Sequence, residues 1–356
     1  MEKMDFVIIG AGVNGLAAAE QLLERGASVT VLERGDVGRE ASWAGGGILS
    51  PLCPWDYPDE VTSLAFRGMA QFGELTDMLY AETGIDPEYE VKGMLILPPV
   101  DVSEAVQWCN FRGVNIRRVM VKNEIPGWRG ECLLMPEVAQ VRNPRILGAM
   151  RKRVVQLGGK IVEKCEVQEF VTQGVQVQSL STSTGEFRAD SYVLTAGAWS
   201  QSLLGRHALP VELKPIRGQM LLYKFDAPPL HHIVLQDGLY LISRRDGHLL
   251  VGSTLEDVGF DKSTSEQAHA DLLRRAQSLI PALAEMPLIQ HWAGLRPGSP
   301  GNVPVIGRHP ELANLWLNTG HFRYGVTMSP ASTEILINEI TGAEQPIDIN
   351  PYRPRR

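Results

Sequence analysis

The chain has 356 residues, 44% hydrophobic and 21% charged, with a formal net charge of −7. That length supports a large core in one big domain or two interlocked ones, with the composition of an ordinary folded protein. The acidic balance offers no basic stripe for nucleic acid, and no segment approaches the ~20 apolar residues of a membrane span. The first apolar run, residues 6–9, breaks at Gly10, and the helical pattern behind it ends in Glu24 and Arg25. It therefore reads as the first strand of a mature, cytoplasmic protein and not as a signal peptide.

Gly10-Ala11-Gly12-Val13-Asn14-Gly15 follows that strand and opens a helix with an apolar face at Leu16, Ala19, Leu22 and Leu23, stopping at Gly26. A second strand, residues 29–32, ends in Glu33, eighteen residues after Gly15. Each part has a physical task in holding a dinucleotide. Gly10 permits a tight turn, Gly12 lets backbone approach a pyrophosphate, and Gly15 lets helix and strand pack closely. The helix N-terminus offers N–H groups and partial positive charge to phosphate. Glu33 can accept hydrogen bonds from both ribose hydroxyls. FAD and NAD share this fingerprint.

Residues 38–47, which include Ser42, Ala44, Gly45, Gly46 and Gly47, form a run of small residues suited to lie against a flat ring or a second phosphate. Residues 50–58 mix prolines with Trp55 and Tyr57; they read either as a wall or lid over a pocket, with Trp55 limiting substrate size, or as packing between domains. Residues 83–137 and 214–299 contain alternating strands, the pattern of an antiparallel sheet. Between them, residues 160–162 and 192–195 are apolar strands, and Thr195-Ala196-Gly197-Ala198-Trp199 closes the second with another small-residue turn. Tyr240 lies on an alternating strand, and Leu255, beyond the strand 248–251, is expected in the pocket wall. Arg296, between Leu295 and Pro297, is placed to bind a carboxylate bidentately. After the strand 315–318, a turn of Gly320, His321, Phe322, Arg323, Tyr324, Gly325, Val326 and Thr327 opens a last helix ending near Gly342. A second helix N-terminus facing the cofactor would stabilise negative charge on a reduced flavin, which favours FAD over NAD.

The apolar strands point to one buried parallel sheet, interrupted by a discontinuous second domain. The expected division is 1–82, 138–213 and 300–356 for the FAD-binding domain, and 83–137 with 214–299 for the substrate domain. The tail, residues 350–356, reads as a loose end. The four cysteines lie far apart and the histidines are dispersed, so free thiols and no metal site are expected.

The order of the glycine fingerprint, Arg39 with Ser42 and the glycines behind it, Thr195-Ala196-Gly197-Ala198-Trp199, Ala293-Gly294-Leu295-Arg296-Pro297 and Gly320-His321-Phe322-Arg323 resembles the D-amino acid oxidase superfamily. Within it, the chain is most similar to the glycine oxidases of thiamine thiazole biosynthesis. The resemblance spans about residues 4–342, with Tyr324 departing from it, since a smaller or polar residue is expected there. It implies a mixed α/β fold, a Rossmann-like FAD-binding domain with an interleaved antiparallel-sheet substrate domain. It implies that Arg296 and Tyr240 hold the substrate, and that the fingerprint, Arg34, Val167 and the small-residue turns hold FAD; Arg323 either contacts the substrate or braces the glycine turn. No cysteine or histidine stands where sarcosine oxidases carry their linkage cysteine, so FAD is expected to be non-covalent. The implied partners are a small amino acid and dioxygen, in a homo-oligomer. The alternatives are a D-amino acid or sarcosine oxidase, or a dehydrogenase subunit passing electrons to a partner.

Overall fold

An apolar strand with no polar face is satisfied only inside a sheet covered on both sides. In the computed structural model, which describes residues 5–355, Asp5–Ile9 lies between Ser191–Leu194 and Ser28–Leu32, parallel to both. Leu315–Thr319 and Lys160–Val162 extend the sheet in parallel on either side. A sixth strand, Val305–Arg308, adds an antiparallel edge that the run of apolar strands did not announce. The two faces of the central strand divide cleanly. Phe6 and Ile8 pack under the helices Val13–Glu24, Asp59–Thr83, Asn143–Gln156 and Gly325–Thr341. Val7 and Ile9 instead pack with Phe170 and Leu180 of a small antiparallel sheet on the other side. Arg67 grips Glu334 through two hydrogen bonds of 2.8 and 2.7 Å, fixing the second helix to the last.

The second large sheet runs Gln290–Gly298, Lys214–Lys224, His248–Gly252, Leu239–Ser243, Ile233–Gln236, Met94–Leu97, Gly130–Met135 and Arg117–Val121. Neighbouring strands are antiparallel except at one seam, where Ile233–Gln236 runs parallel to Met94–Leu97. The expectation of a purely antiparallel sheet fails at that seam for a simple reason. The two strands come from stretches separated by much of the chain, so no tight hairpin dictates their relative direction. Period-two alternation gives each strand two distinct faces. Leu239 and Leu241 pack towards Leu272 and Leu279 of the helix Glu266–Leu279, while Tyr240 and Ile242 face the other sheet.

The tail is not loose. Tyr352 is 2% exposed and its hydroxyl donates to the Glu60 carbonyl at 2.7 Å, so one aromatic anchors a segment whose prolines and arginines suggested a free end. Residues 1–4 and Arg356, included in the expected domain bounds, lie outside the described residues. No helix among the described residues is long and apolar enough to cross a membrane.

Candidate active site

Between the two sheets lies a cavity of about 590 Å³; of the residues expected to contact cofactor or substrate directly, all but Ala11, Gly15 and Ala44 line it. Those three act one layer behind it. Ala11 is fully buried and donates its N–H to Glu33 Oε2 at 2.9 Å. A side chain at Gly15 would overlap the Gly10 carbonyl, and Ala44 packs directly against Gly294 of the second sheet. Gly10 takes φ +104°, and a Cβ there would stand 2.7 Å from the Thr195 carbonyl. At Gly12 the nearest atom to such a Cβ is Ser42 Oγ, at 3.2 Å. Gly10 and Gly15 are thus required by the fold itself, whereas Gly12 keeps clear the space in front of the helix.

The residues present fit a dinucleotide. Glu33 uses one oxygen on the Ala11 N–H and the other on the Gly35 N–H, both at 2.9 Å, and each oxygen retains acceptor capacity for a ribose hydroxyl. Ser42 Oγ accepts the N–H of Val13 at 3.0 Å at the helix start. Arg34 lies over the Trp199 ring, 3.7 Å from its centroid, and its guanidinium donates to Glu40 at 3.0 Å.

His321 supplies a sharper observation. The Ser332 hydroxyl donates to Asn14 Oδ1 at 3.4 Å, leaving the Asn14 amide to donate to His321 Nδ1 at 3.2 Å. The ring proton therefore sits on Nε2, which is buried without a protein partner. Burial pushes the imidazole pKa down to about 3, so the ring is a neutral donor. A buried N–H left bare is costly, and a cofactor acceptor in the cavity would satisfy it.

The small-residue loop at 41–47 is held by three side chains that sequence reasoning missed. Asn143 donates to the Ser42 carbonyl at 2.6 Å and Trp292 Nε1 to the Ala44 carbonyl at 3.1 Å. Arg244, 2% exposed, donates to the carbonyls of Gly46 and Val141 at 2.6 and 2.9 Å. Burial brings its pKa down to about 10, which leaves it charged at neutral pH. All three come from elsewhere in the chain, and the only local signal is that Arg244 follows an alternating strand.

Arg296, Tyr240 and Arg323 come together as expected from sequence. The Arg296 guanidinium lies over Gly218 of the neighbouring strand, where any side chain would displace it. It donates to Ser253 Oγ at 2.7 Å and to the Thr254 carbonyl at 3.2 Å. Burial, with Arg323 nearby, pulls its pKa below the ordinary arginine value, and the Tyr240 phenol lies beside it. No carboxylate among the described residues pairs with Arg296 or Arg323, although both line the cavity. Two half-buried guanidiniums beside one cavity, without a carboxylate partner, call for an anion.

Three expectations need correction or refinement. Leu255 is 58% exposed and off the cavity, because the strand ends at Gly252 and the chain leaves the sheet before reaching it. Trp55 also misses the cavity. It packs against the core, while Ser50 and Leu52 are the members of its segment that line the wall. Tyr324, expected among the cofactor residues, sends its phenol to Tyr57 and towards Arg323.

Residues 5–338 match the family described as FAD dependent oxidoreductase. A glycine oxidase of Pseudomonas aeruginosa is 44% identical over 355 residues, covering 98% of each chain. A bifunctional ThiO/ThiG protein of Synechocystis is 32% identical over 99% of this chain, which spans 54% of that longer protein. The crystal structure of glycine oxidase from Geobacillus kaustophilus superposes with a TM-score of 0.92 at 26% identity, covering 100% of this chain and 99% of that one.

Proposed function

This chain belongs to the family of FAD dependent oxidoreductases, and we propose that it oxidises glycine at the Cα–N bond in the service of thiazole assembly for thiamine. The observation that carries this reading is the pair of half-buried guanidiniums, Arg296 and Arg323, facing one cavity without a carboxylate of the protein's own among the described residues. An amino acid carboxylate answers that charge. Arg296 is already oriented by Ser253 and Thr254, so little freedom is lost when the substrate arrives.

The same two cations act on the amine. Positive charge nearby and desolvation on binding both disfavour an ammonium, so the substrate nitrogen is held neutral with its lone pair available. Tyr240, on the cavity face of its strand, offers a further donor to the carboxylate. With the carboxylate of a small molecule fixed, orientation supplies most of the rate enhancement and no acid–base dyad is required. Held by the glycine fingerprint, Glu33 and the turn at His321, FAD would supply the two-electron oxidant that dioxygen regenerates. Glycine, dioxygen and water thus become glyoxylate, ammonia and hydrogen peroxide, the glyoxylate arising by hydrolysis of the imine. Peroxide release, a homo-oligomeric state and a cytoplasmic setting are parts of the same proposal.

Anaerobic titration of the yellow protein with glycine, sarcosine and D-amino acids, read by flavin bleaching, tests it. Glycine is expected to bleach the flavin, and air to restore the colour quickly. Bleaching by none of these amines would end the reading. A reduced flavin stable in air would replace the oxidase with an electron-transferring dehydrogenase.

A further inference from the structure

Resting on that reading, an unassigned pair of tyrosines bears on which amine is admitted. Tyr324 is 3% exposed and lines the cavity beside Arg323. Its hydroxyl donates to Tyr57 Oη at 2.5 Å and accepts the Leu52 N–H at 3.2 Å. The two rings meet edge to face, 5.1 Å apart at 83°. Tyr57 itself is half-buried and off the cavity lining, and its phenol faces the Arg323 guanidinium.

We infer that Tyr324, braced by Tyr57, is the wall that restricts the substrate to amino acids without a side chain, and that Tyr57 is a positioning residue for Arg323. A ring tethered by two hydrogen bonds and one edge-to-face contact has no second rotamer at low cost. To admit a substituent on Cα it must swing aside. Swinging leaves the Leu52 N–H and the Tyr57 hydroxyl without the partner each has now, and it frees the post behind Arg323. Burial raises the Tyr324 pKa well above the ordinary phenol value, so the tether keeps its proton throughout the working pH range. A simple packing role would need only the ring. Two specific polar contacts from the hydroxyl, one to a segment 267 residues away, are what packing does not require.

The test compares Tyr324→Ser, Tyr324→Phe and Tyr57→Phe, each saturated with FAD, using glycine, both enantiomers of alanine, and glycolate as an amine-free ligand. Tyr324→Ser is expected to raise the alanine-to-glycine ratio of kcat/KM at least about tenfold, the discrimination that one methylene carries. Tyr324→Phe keeps the bulk and loses the tether, so its ratio rises by a smaller factor. Tyr57→Phe leaves the lining intact and is expected to raise the glycine KM and the glycolate Kd about threefold to tenfold, with kcat changing less. An unchanged ratio in Tyr324→Ser overturns the wall. Should that variant fail to retain FAD, an unchanged ratio in Tyr324→Phe does the same. Wild-type glycolate affinity in Tyr57→Phe overturns the positioning role. Wild-type protein that glycine does not bleach would instead sink the glycine reading, a separate outcome.

Discussion

Replacing Arg296 by alanine removes a guanidinium that faces the cavity already held by Ser253 and Thr254. Breaking a desolvated charge pair costs about 2–5 kcal/mol, or roughly thirtyfold to several thousandfold in affinity. Arg323 is close enough to lower the Arg296 pKa, so a bound carboxylate would keep one cation when the other is gone. That places the expected loss in the lower half, about 2–3 kcal/mol. The assay is glycine kinetics together with glycolate binding at fixed FAD saturation, and FAD content should not change. Arg296→Lys recovers only part of the loss, because an ammonium cannot reproduce the planar fork. The folded protein gives a second readout of opposite sign. A half-buried cation without a carboxylate partner adds little to folding, so Arg296→Met should melt no lower than wild type in the absence of substrate while losing activity. Near wild-type affinity of Arg296→Ala for both glycine and glycolate would refute the reasoning and move the carboxylate to Arg323.

Other substitutions separate the remaining roles. Gly12→Val should empty the site of FAD yet leave the far-ultraviolet circular dichroism of a folded protein, whereas Gly15→Ala, overlapping the Gly10 carbonyl, should lower stability itself; equal behaviour of the two would erase the distinction. Burial holds His321 at about 3, so between pH ~6.5 and 3 the unfolded chain binds a proton that the folded chain refuses. Its stabilisation is complete above pH ~6.5 and is lost as the pH falls, by at most ~1.4 kcal/mol per unit. Urea midpoints at pH 7 and pH 5 should therefore converge in His321→Gln relative to wild type, and an undiminished gap would count against a neutral buried ring. Trp55→Ala, off the cavity, should leave the ratio of D-alanine to glycine turnover unchanged while lowering the melting temperature; a shifted ratio would return it to the substrate wall.

What the sequence made legible is what chemistry writes locally. The fingerprint from Gly10 to Gly15, the acid at Glu33 and the turn before the last helix each occupy a few consecutive residues, and all appear around one cavity. Arg296 was legible because a proline-backed arginine at a strand end is itself a short pattern. The room it occupies was not, since Gly218 meets it only through the pairing of two separate strands. Arg244, Asn143 and Trp292 escaped for the same reason: their hydrogen bonds reach the loop at 41–47 across roughly a hundred residues or more. Leu255 was misplaced by extending an alternation three residues past its strand, and the tail by weighing prolines and arginines above the single tyrosine that docks it.

The bond from Asn14 to His321 joins positions 307 apart, and this has a consequence for how the protein is made. During synthesis, at about 5–20 residues per second, the nucleotide fingerprint waits roughly 15–60 seconds for its partner across those 307 residues. The strand Leu315–Thr319 and the turn behind it, which close the cavity, leave the ribosome only at the end of that interval. A ribosome-stalled chain ending before that strand would expose Glu33 and Gly12 without the walls that hold FAD. Yellow colour therefore reports a chain that has emerged and folded as far as this turn, and FAD joins the protein only after that point.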